Sequence, residues 1–73
     1  MEDNLDAIIA QNIKREIENC GLSKSEIARR LGVSKPTISQ YLSGRAQPTL
    51  ATFARLCKVI DCSADDILNL KNL

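Results

Sequence analysis

Three glycines limit the fold of this chain most, because each one interrupts a stretch of helical periodicity. Gly21, Gly32 and Gly44 stand where apolar residues at three- and four-residue spacing break off. Glycine adopts the left-handed backbone that ends a helix without the steric clash that a side chain would add. The sequence therefore predicts several short helices rather than one long helix.

Apolar spacing and capping residues together predict five helices. The first runs from about Leu5 to Cys20. The other four begin after residues whose side chains can cap a helix N-terminus, namely Ser23, Ser34, Thr49 and Ser63. No stretch of four residues or more alternates β-branched with polar side chains, so no strand is predicted. We therefore expect an all-α fold, a compact bundle of five short helices.

The same spacing predicts which side chains form the core. In the first three helices the expected apolar faces are Ile9, Ala10, Ile13, Ile17 and Cys20, then Ile27, Ala28 and Leu31, then Ile38, Tyr41 and Leu42. In the last two helices they are Leu50, Phe53, Ala54, Cys57 and Ile60, then Ile67, Leu68 and Leu70. Ser23 and Glu26 are expected to form a capping box, in which hydroxyl and carboxylate both satisfy amides at the start of the second helix.

Charge is segregated along the chain, although the net charge is only +1. The 73 residues are enough for one domain, residues 1–73. Residues 24–58 contain seven Lys and Arg residues and a single acidic residue, Glu26, whereas residues 1–10 and 61–70 are acidic. A basic middle between acidic ends is typical of a module that offers one face to a polyanion. Taken alone, the pattern fits charges that only solvate helix faces equally well.

Several classes of protein are disfavoured by composition. The chain has no His, the commonest general base, and no arrangement of carboxylates or nucleophiles that fits an enzyme. Its three cysteines could complete a four-ligand zinc site only with acidic ligands, so we expect no metal and no cofactor. The longest apolar runs, such as residues 7–10, are too short to span a membrane, and the acidic start is unlike an export signal. We therefore expect a cytoplasmic protein.

Residues 24–43 have the anatomy of a helix-turn-helix unit. Ala28 is small where the two helices would cross, and Gly32 suits the tight turn between them. Ser34 would cap the second helix and leave its N-terminus facing outward, where its free amides attract phosphates or base edges. Of Arg29 and Arg30, one could face a nucleic acid and the other solvent.

From Ile13 through Leu70 the chain resembles the lambda repressor/Cro-like helix-turn-helix family, also called the XRE family. The matching pieces are residues 21–28, 31–34, 38–44, 48–50 and 60–68. The resemblance implies a lambda repressor-like DNA-binding domain and a protein that binds double-stranded DNA. The second helix of the unit, residues 34–43, is similar to the recognition helix that lies in the major groove.

The resemblance also implies two sets of contact residues. Base contacts are expected from Lys35, Pro36, Thr37, Ser39 and Gln40. Phosphate contacts are expected from Lys24, Ser34, Ser43, Gly44 and Arg45. Lys24 departs from the family, which more often has Gln at this position, and lysine lacks the amide oxygen that could accept a bridging hydrogen bond. Tyr41 falls on the buried stripe, so we expect it to pack in the core rather than stack on a base.

The function implied by the resemblance is transcriptional regulation, with a repressor as the leading hypothesis. A unit this small covers few base pairs, and family members therefore usually bind inverted repeats as homodimers. No ligand-sensing domain fits into 73 residues, so no small-molecule ligand is expected. The alternative is an antitoxin, a module that also binds a protein toxin. The short segments on either side of the helices favour the first hypothesis over the second.

Overall fold

The computed structural model describes residues 4–69 and forms five α-helices within them. They are α1 (Leu5–Asn19), α2 (Lys24–Leu31), α3 (Lys35–Ser43), α4 (Leu50–Val59) and α5 (Ala64–Leu68). These residues contain no strand, and the expected all-α fold is confirmed. Leu70, expected on the apolar face of the fifth helix, lies outside the described residues. Between residues 4 and 69, no helix is long and apolar enough to cross a membrane.

Hydroxyl side chains hold the N-termini of α2 to α5. The hydroxyl oxygens of Ser23, Ser34, Thr49 and Ser63 each accept the backbone N–H three residues later, at 3.1–3.3 Å. Each bond satisfies an amide that has no partner within the first turn of the helix. All four predicted caps are thereby confirmed.

The capping box predicted at α2 is only half formed. Ser23 accepts the Glu26 N–H, but the Glu26 carboxylate bonds to two arginines of its own helix instead of reaching back. A complete capping box lies at α5, where the Ser63 N–H donates to the Asp66 carboxylate at 2.9 Å. The hydrogen bonds from Ser63 hold the pKa of Asp66 below its usual range.

The C-terminal ends of α2, α3 and α4 share one hydrogen-bond pattern. A residue with positive φ turns the chain at each end, namely Gly32 (77°), Gly44 (81°) or Asp61 (57°). The N–H of the next residue then donates to the carbonyl five residues before it, at 3.0 Å in each case. This Schellman motif satisfies carbonyls that a helix end leaves free. As a result, the chain leaves each helix in a defined direction.

Large apolar side chains from every helix meet in one core. The fully buried ones are Ile13, Ile27, Ile38, Leu56 and Ile67, one from each helix. α1 packs against α3 and α5, and α2 packs against α3 and α4. Tyr41 is 7% exposed and joins this core, which confirms the prediction made from its place on the apolar stripe.

The buried face of α4 differs from the prediction. Leu56, which the predicted stripe omits, is fully buried, whereas Leu50 is 87% exposed and Ala54 is also exposed. The face that packs on the core combines Leu56 with Phe53 and Ile60. Both sets of residues have helical spacing, so periodicity alone does not choose between them. Packing against the other helices sets the rotation of α4, and Leu50, the first residue of α4, projects from the core.

Replacing Leu56 with Ala tests this corrected face of α4. Because removal of a fully buried leucine leaves a cavity, Leu56→Ala should lower the free energy of unfolding by about 2–5 kcal/mol. The matched control Leu50→Ala removes the same atoms from an exposed position of the same helix, and should change that free energy by less than about 0.5 kcal/mol. Urea unfolding measures both values. Equal losses in the two variants would contradict the described core.

Candidate nucleic-acid interface

α2 and α3 form a closely packed pair joined by a short turn. Only Gly32, Val33 and Ser34 lie between them. Ala28 of α2 is 4% exposed and Ile38 of α3 is fully buried. A side chain as small as that of Ala28 allows two helices to approach each other closely. The pair has the arrangement of a helix-turn-helix unit, with α3 at the surface.

One face of α3 is packed in the core and the opposite face is exposed. Ile38 and Tyr41 are buried on the inner side. Pro36, Gln40 and Ser43 follow the spacing i, i+4, i+7 and therefore lie in one row on the other side. We call the exposed side the outer face of α3; it consists of Lys35, Pro36, Ser39, Gln40 and Ser43.

Thr37 differs from the other predicted base-contact residues, because it is half-buried and engaged with the cap of α3. Its Oγ1 atom lies 2.8 Å from the Ser34 Oγ atom, and its N–H donates to the same oxygen at 3.3 Å. The Thr37 hydroxyl is thus directed toward the start of the helix. The other four predicted residues all lie on the outer face.

Three predicted phosphate-contact residues, Ser43, Gly44 and Arg45, lie together where α3 ends. The Gly44 N–H donates to the Tyr41 carbonyl at 3.4 Å, and the Arg45 N–H donates to the Gln40 carbonyl at 3.0 Å. The Ser43 hydroxyl donates to the same Gln40 carbonyl at 3.2 Å. These amides are already hydrogen-bonded within the chain. The exposed Arg45 side chain is therefore the group best placed to meet an anion at this end of α3.

A groove beside the outer face of α3 contains a basic residue that the sequence analysis missed. We call it the lysine groove; it is lined by Lys14, Glu18, Lys24, Ser39, Leu42 and Ser43. Lys14 comes from α1 and Lys24 from the start of α2, so two helices place lysine residues beside α3. Lys14 also lines a second cleft, which extends to Gly44. Periodicity shows that Lys14 lies off the buried stripe of α1, but it does not show which helix lies next to it.

The two arginines of α2 both bind one carboxylate. Arg29 donates through Nε to Glu26 Oε1 at 3.1 Å and through a second nitrogen to Oε2, and Arg30 Nε donates to Oε2 at 2.7 Å. The hydrogen bonds from Arg29 and then from Arg30 lower the pKa of Glu26 to about 2, and the pairing raises the pKa of Arg29. We call Glu26, Arg29 and Arg30 the Glu26 cluster. Lys24 is the other basic residue of α2, and it lies beside α3 in the lysine groove.

Comparison with known families agrees with this geometry. A helix-turn-helix family model, HTH_3, matches residues 13–67, which is three quarters of the chain. The chain belongs to the XRE family of helix-turn-helix proteins. This is a family of DNA-binding regulators, and the five described helices agree with its lambda repressor-like fold. The outer face of α3 is therefore a candidate nucleic-acid interface of an XRE-family protein.

Two curated relatives are similar to nearly the whole chain. Both are named Antitoxin HigA1 and come from Mycobacterium tuberculosis, one from strain CDC 1551 / Oshkosh and one from strain ATCC 25618 / H37Rv. Each is 32% identical over 69 residues, which cover 94% of this chain and 43% of the relative. The chain therefore spans less than half the length of these relatives. No solved structure matches the chain significantly.

The Glu26 cluster predicts a pH-dependent contribution to stability. Because the pKa of Glu26 in the folded chain, about 2, lies below its ordinary value of 4.5, ionised Glu26 stabilises the fold above about pH 4.5. That contribution is lost as the pH falls from 4.5 toward 2. Glu26→Gln should therefore lower Tm at pH 7, and the difference from the unmodified chain should shrink steadily as the pH falls from 4.5 to 2.

Thermal unfolding of both chains between pH 2 and pH 7 measures this difference. Glu18→Gln, which neutralises an exposed carboxylate of α1, is the matched control for the change in net charge. A difference for Glu26→Gln that stays constant over the whole range would contradict the assigned ion pairs.

Proposed function

We propose that the protein is a sequence-specific regulator of transcription that binds double-stranded DNA with α3 in the major groove. The observation that carries the proposal is the division of α3 into a face locked in the core and a polar outer face, in a chain of the XRE family. An α-helix fits into the major groove, where each base pair presents a distinct set of donors and acceptors. The proposal places the protein in the cytoplasm, on its DNA.

The side chains on the outer face of α3 can contact different bases. The Gln40 amide can bind adenine in a bidentate manner, because its N–H group can donate to N7 while its oxygen accepts from the N6 amino group, and Lys35 can donate to the acceptors of guanine. Ser39 can bond to either kind of edge, whereas Pro36 can contribute only an apolar contact, such as one to a thymine methyl group. Thr37 can join them if its hydroxyl turns away from the Ser34 cap.

Phosphate contacts are proposed around the outer face. From the lysine groove, Lys24 and Lys14 can approach one stretch of the DNA backbone, and the Arg45 side chain can approach it at the end of α3. Lysine and arginine that neutralise phosphates release counterions from DNA, which makes binding weaker as salt rises. The proposed set comprises Lys14, Lys24, Ser34, Ser43, Gly44 and Arg45.

A homodimer on an inverted repeat is the form of binding we propose. One α3 covers few base pairs, and a two-fold dimer doubles the number it contacts. Repression would follow from occupancy of the operator, which excludes polymerase from the same DNA, and it requires no small-molecule ligand.

An antitoxin is the second candidate function. It is favoured by the similarity of 94% of this chain to relatives that are named antitoxins. Such a protein would bind its operator through α3 and a protein toxin elsewhere on its surface. Co-purification from the native cells of a small protein that arrests growth when produced alone would support this function, and purification of the chain without such a partner would count against it.

Selection from random duplex DNA at about 0.15 M salt tests the leading proposal. The retained sequences should share an inverted repeat whose half-sites are centred about one helical turn apart. Recovery of single half-sites would contradict the dimer. Retention of no sequence above background would contradict sequence-specific binding.

Gln40→Ala tests base recognition by the outer face. Loss of the bidentate amide should cost about 1–3 kcal/mol on the selected site and relax the preference at one base pair. Gln47→Ala, the same change at an exposed position after α3, is the matched control and should leave base preference unchanged. Competition binding with single-base variants of the site measures both effects. An equal loss on every sequence would show that Gln40 does not contact a base.

Salt dependence tests the proposed phosphate contacts. Arg45→Gln and Lys14→Gln should each weaken binding to selected and random DNA alike, and should reduce the slope of log K against log salt by about one. Lys58→Gln, at the exposed end of α4, makes the same change in charge away from α3 and should leave the slope nearly unchanged. An equal reduction in all three variants would indicate a general effect of net charge instead of local contacts.

A further inference from the structure

The Schellman motif at the end of α4 brings two cysteines together. Cys57 lies in the last turn of α4, and Asp61, with a φ of 57°, reverses the chain beyond the helix. The Cys62 N–H then donates to the Cys57 carbonyl at 3.0 Å. Side chains at these two positions of the motif commonly touch, so the motif brings the two thiols to the same side of the turn.

This geometry fits a disulfide. Disulfides join residues whose Cα atoms lie about 4.4–6.8 Å apart, and the hydrogen bond from the Cys62 N–H to the Cys57 carbonyl holds the backbones of the two residues close together. Both side chains are half-buried and both thiols are free in the structure. Ile60, between them in sequence, is 6% exposed and anchors the turn in the core. The turn that holds the two cysteines is therefore fixed both by its backbone hydrogen bond and by the core.

We propose that Cys57 and Cys62 are an oxidation site, where exchange with a small-molecule disulfide forms an intramolecular disulfide across the end of α4. The thiolate of Cys57 attacks the small disulfide, which forms a mixed disulfide and expels one small thiolate. The thiolate of Cys62 then attacks the Cys57 sulfur, forms the internal disulfide and expels the second small thiolate. The two expelled groups take up the two thiol protons, so two protein thiols are oxidised and one small disulfide is reduced.

The surroundings of the pair make this reaction slow. Burial raises the pKa of both thiols, and burial together with the neighbouring Cys57 and the carboxylates of Glu16 and Asp66 raises the pKa of Cys62 to about 12. Because only the thiolate attacks a disulfide, a small thiolate fraction limits the rate. The two thiols should therefore react more slowly than an exposed thiol of ordinary pKa.

The oxidation site is separate from the candidate nucleic-acid interface and does not depend on the proposed function. Cys57 lies on α4, which packs against α2, and the carboxylates beside the thiols belong to α1 and α5. A disulfide here closes a short loop that already has its native geometry. It should stabilise the fold by restricting the unfolded chain, and leave the outer face of α3 unchanged.

The full chain with oxidised glutathione provides the test. After incubation, remaining thiols are alkylated and the chain is cut with trypsin, which cleaves after Arg55 and Lys58 and so separates the two cysteines. Residues 56–58 should be recovered linked to residues 59–71, while Cys20 carries either the alkyl group or one glutathione. Oxidation should also raise Tm by roughly 5 °C or more: the short loop limits the gain in free energy, but in a small domain even a modest gain shifts Tm by several degrees.

Single cysteine variants are the controls. Cys57→Ser and Cys62→Ser each lack the second thiol and should retain one glutathione on the remaining member of the pair, whereas Cys20→Ser should form the internal disulfide as the unmodified chain does. Separate glutathione adducts on Cys57 and Cys62 in the unmodified chain, or a disulfide that involves Cys20 instead, would overturn the proposal.

Discussion

The burial of Ile38 and Tyr41 is the interaction on which the candidate interface depends. α3 has nine residues, and an isolated helix shorter than about 12–15 residues is only marginally stable in water. Its helical form is therefore maintained by packing of these two side chains in the core and by the Ser34 cap. With the inner face held in this way, the outer face presents its polar side chains in a fixed row. A recognition helix needs that rigidity, because a flexible one would lose entropy each time it bound.

The positive charge that is available to a polyanion lies around α3, although the net charge of the chain is only +1. Glu26 binds both Arg29 and Arg30, so the most basic stretch of α2 is partly neutralised on the protein itself. Lys14, Lys24 and Arg45 lie next to α3 instead, on three different segments of the chain. Attraction of a polyanion is thereby concentrated around the helix proposed to contact bases. Besides its pH-dependent contribution to stability, the Glu26 cluster controls where positive charge is available on this surface.

Much of the fold follows from short-range signals in the sequence. Hydroxyl residues before α2 to α5 and positive-φ glycines after α2 and α3 act within a few residues of each helix end, so they can be recognised without tertiary information. The outer face of α3 also follows from periodicity once Ile38 is known to be buried. The rotation of α4 could not be predicted, because Leu50 and Leu56 belong to two faces with the same spacing and only packing chooses between them.

The features of the candidate site that the sequence did not predict have two causes. One is packing against residues that are distant in sequence, and the other is competition between possible hydrogen-bond partners. Lys14 reaches the side of α3 because α1 packs there, which no local pattern shows. Glu26 could bond to the amide at Ser23 or to the arginines of α2, and the sequence does not show that charged partners prevail. The engagement of Thr37 with the Ser34 cap is a similar competition at the start of α3.

The outer face of α3 and the lysine groove together form the surface proposed to contact DNA. Amide NMR spectra of the isotope-labelled chain, recorded during titration with duplex DNA, test this contact. The largest shifts should occur at residues 34–45, with further shifts at Lys14 and Lys24. Shifts centred on the exposed residues of α4, such as Leu50 and Arg55, with α3 unaffected, would contradict it.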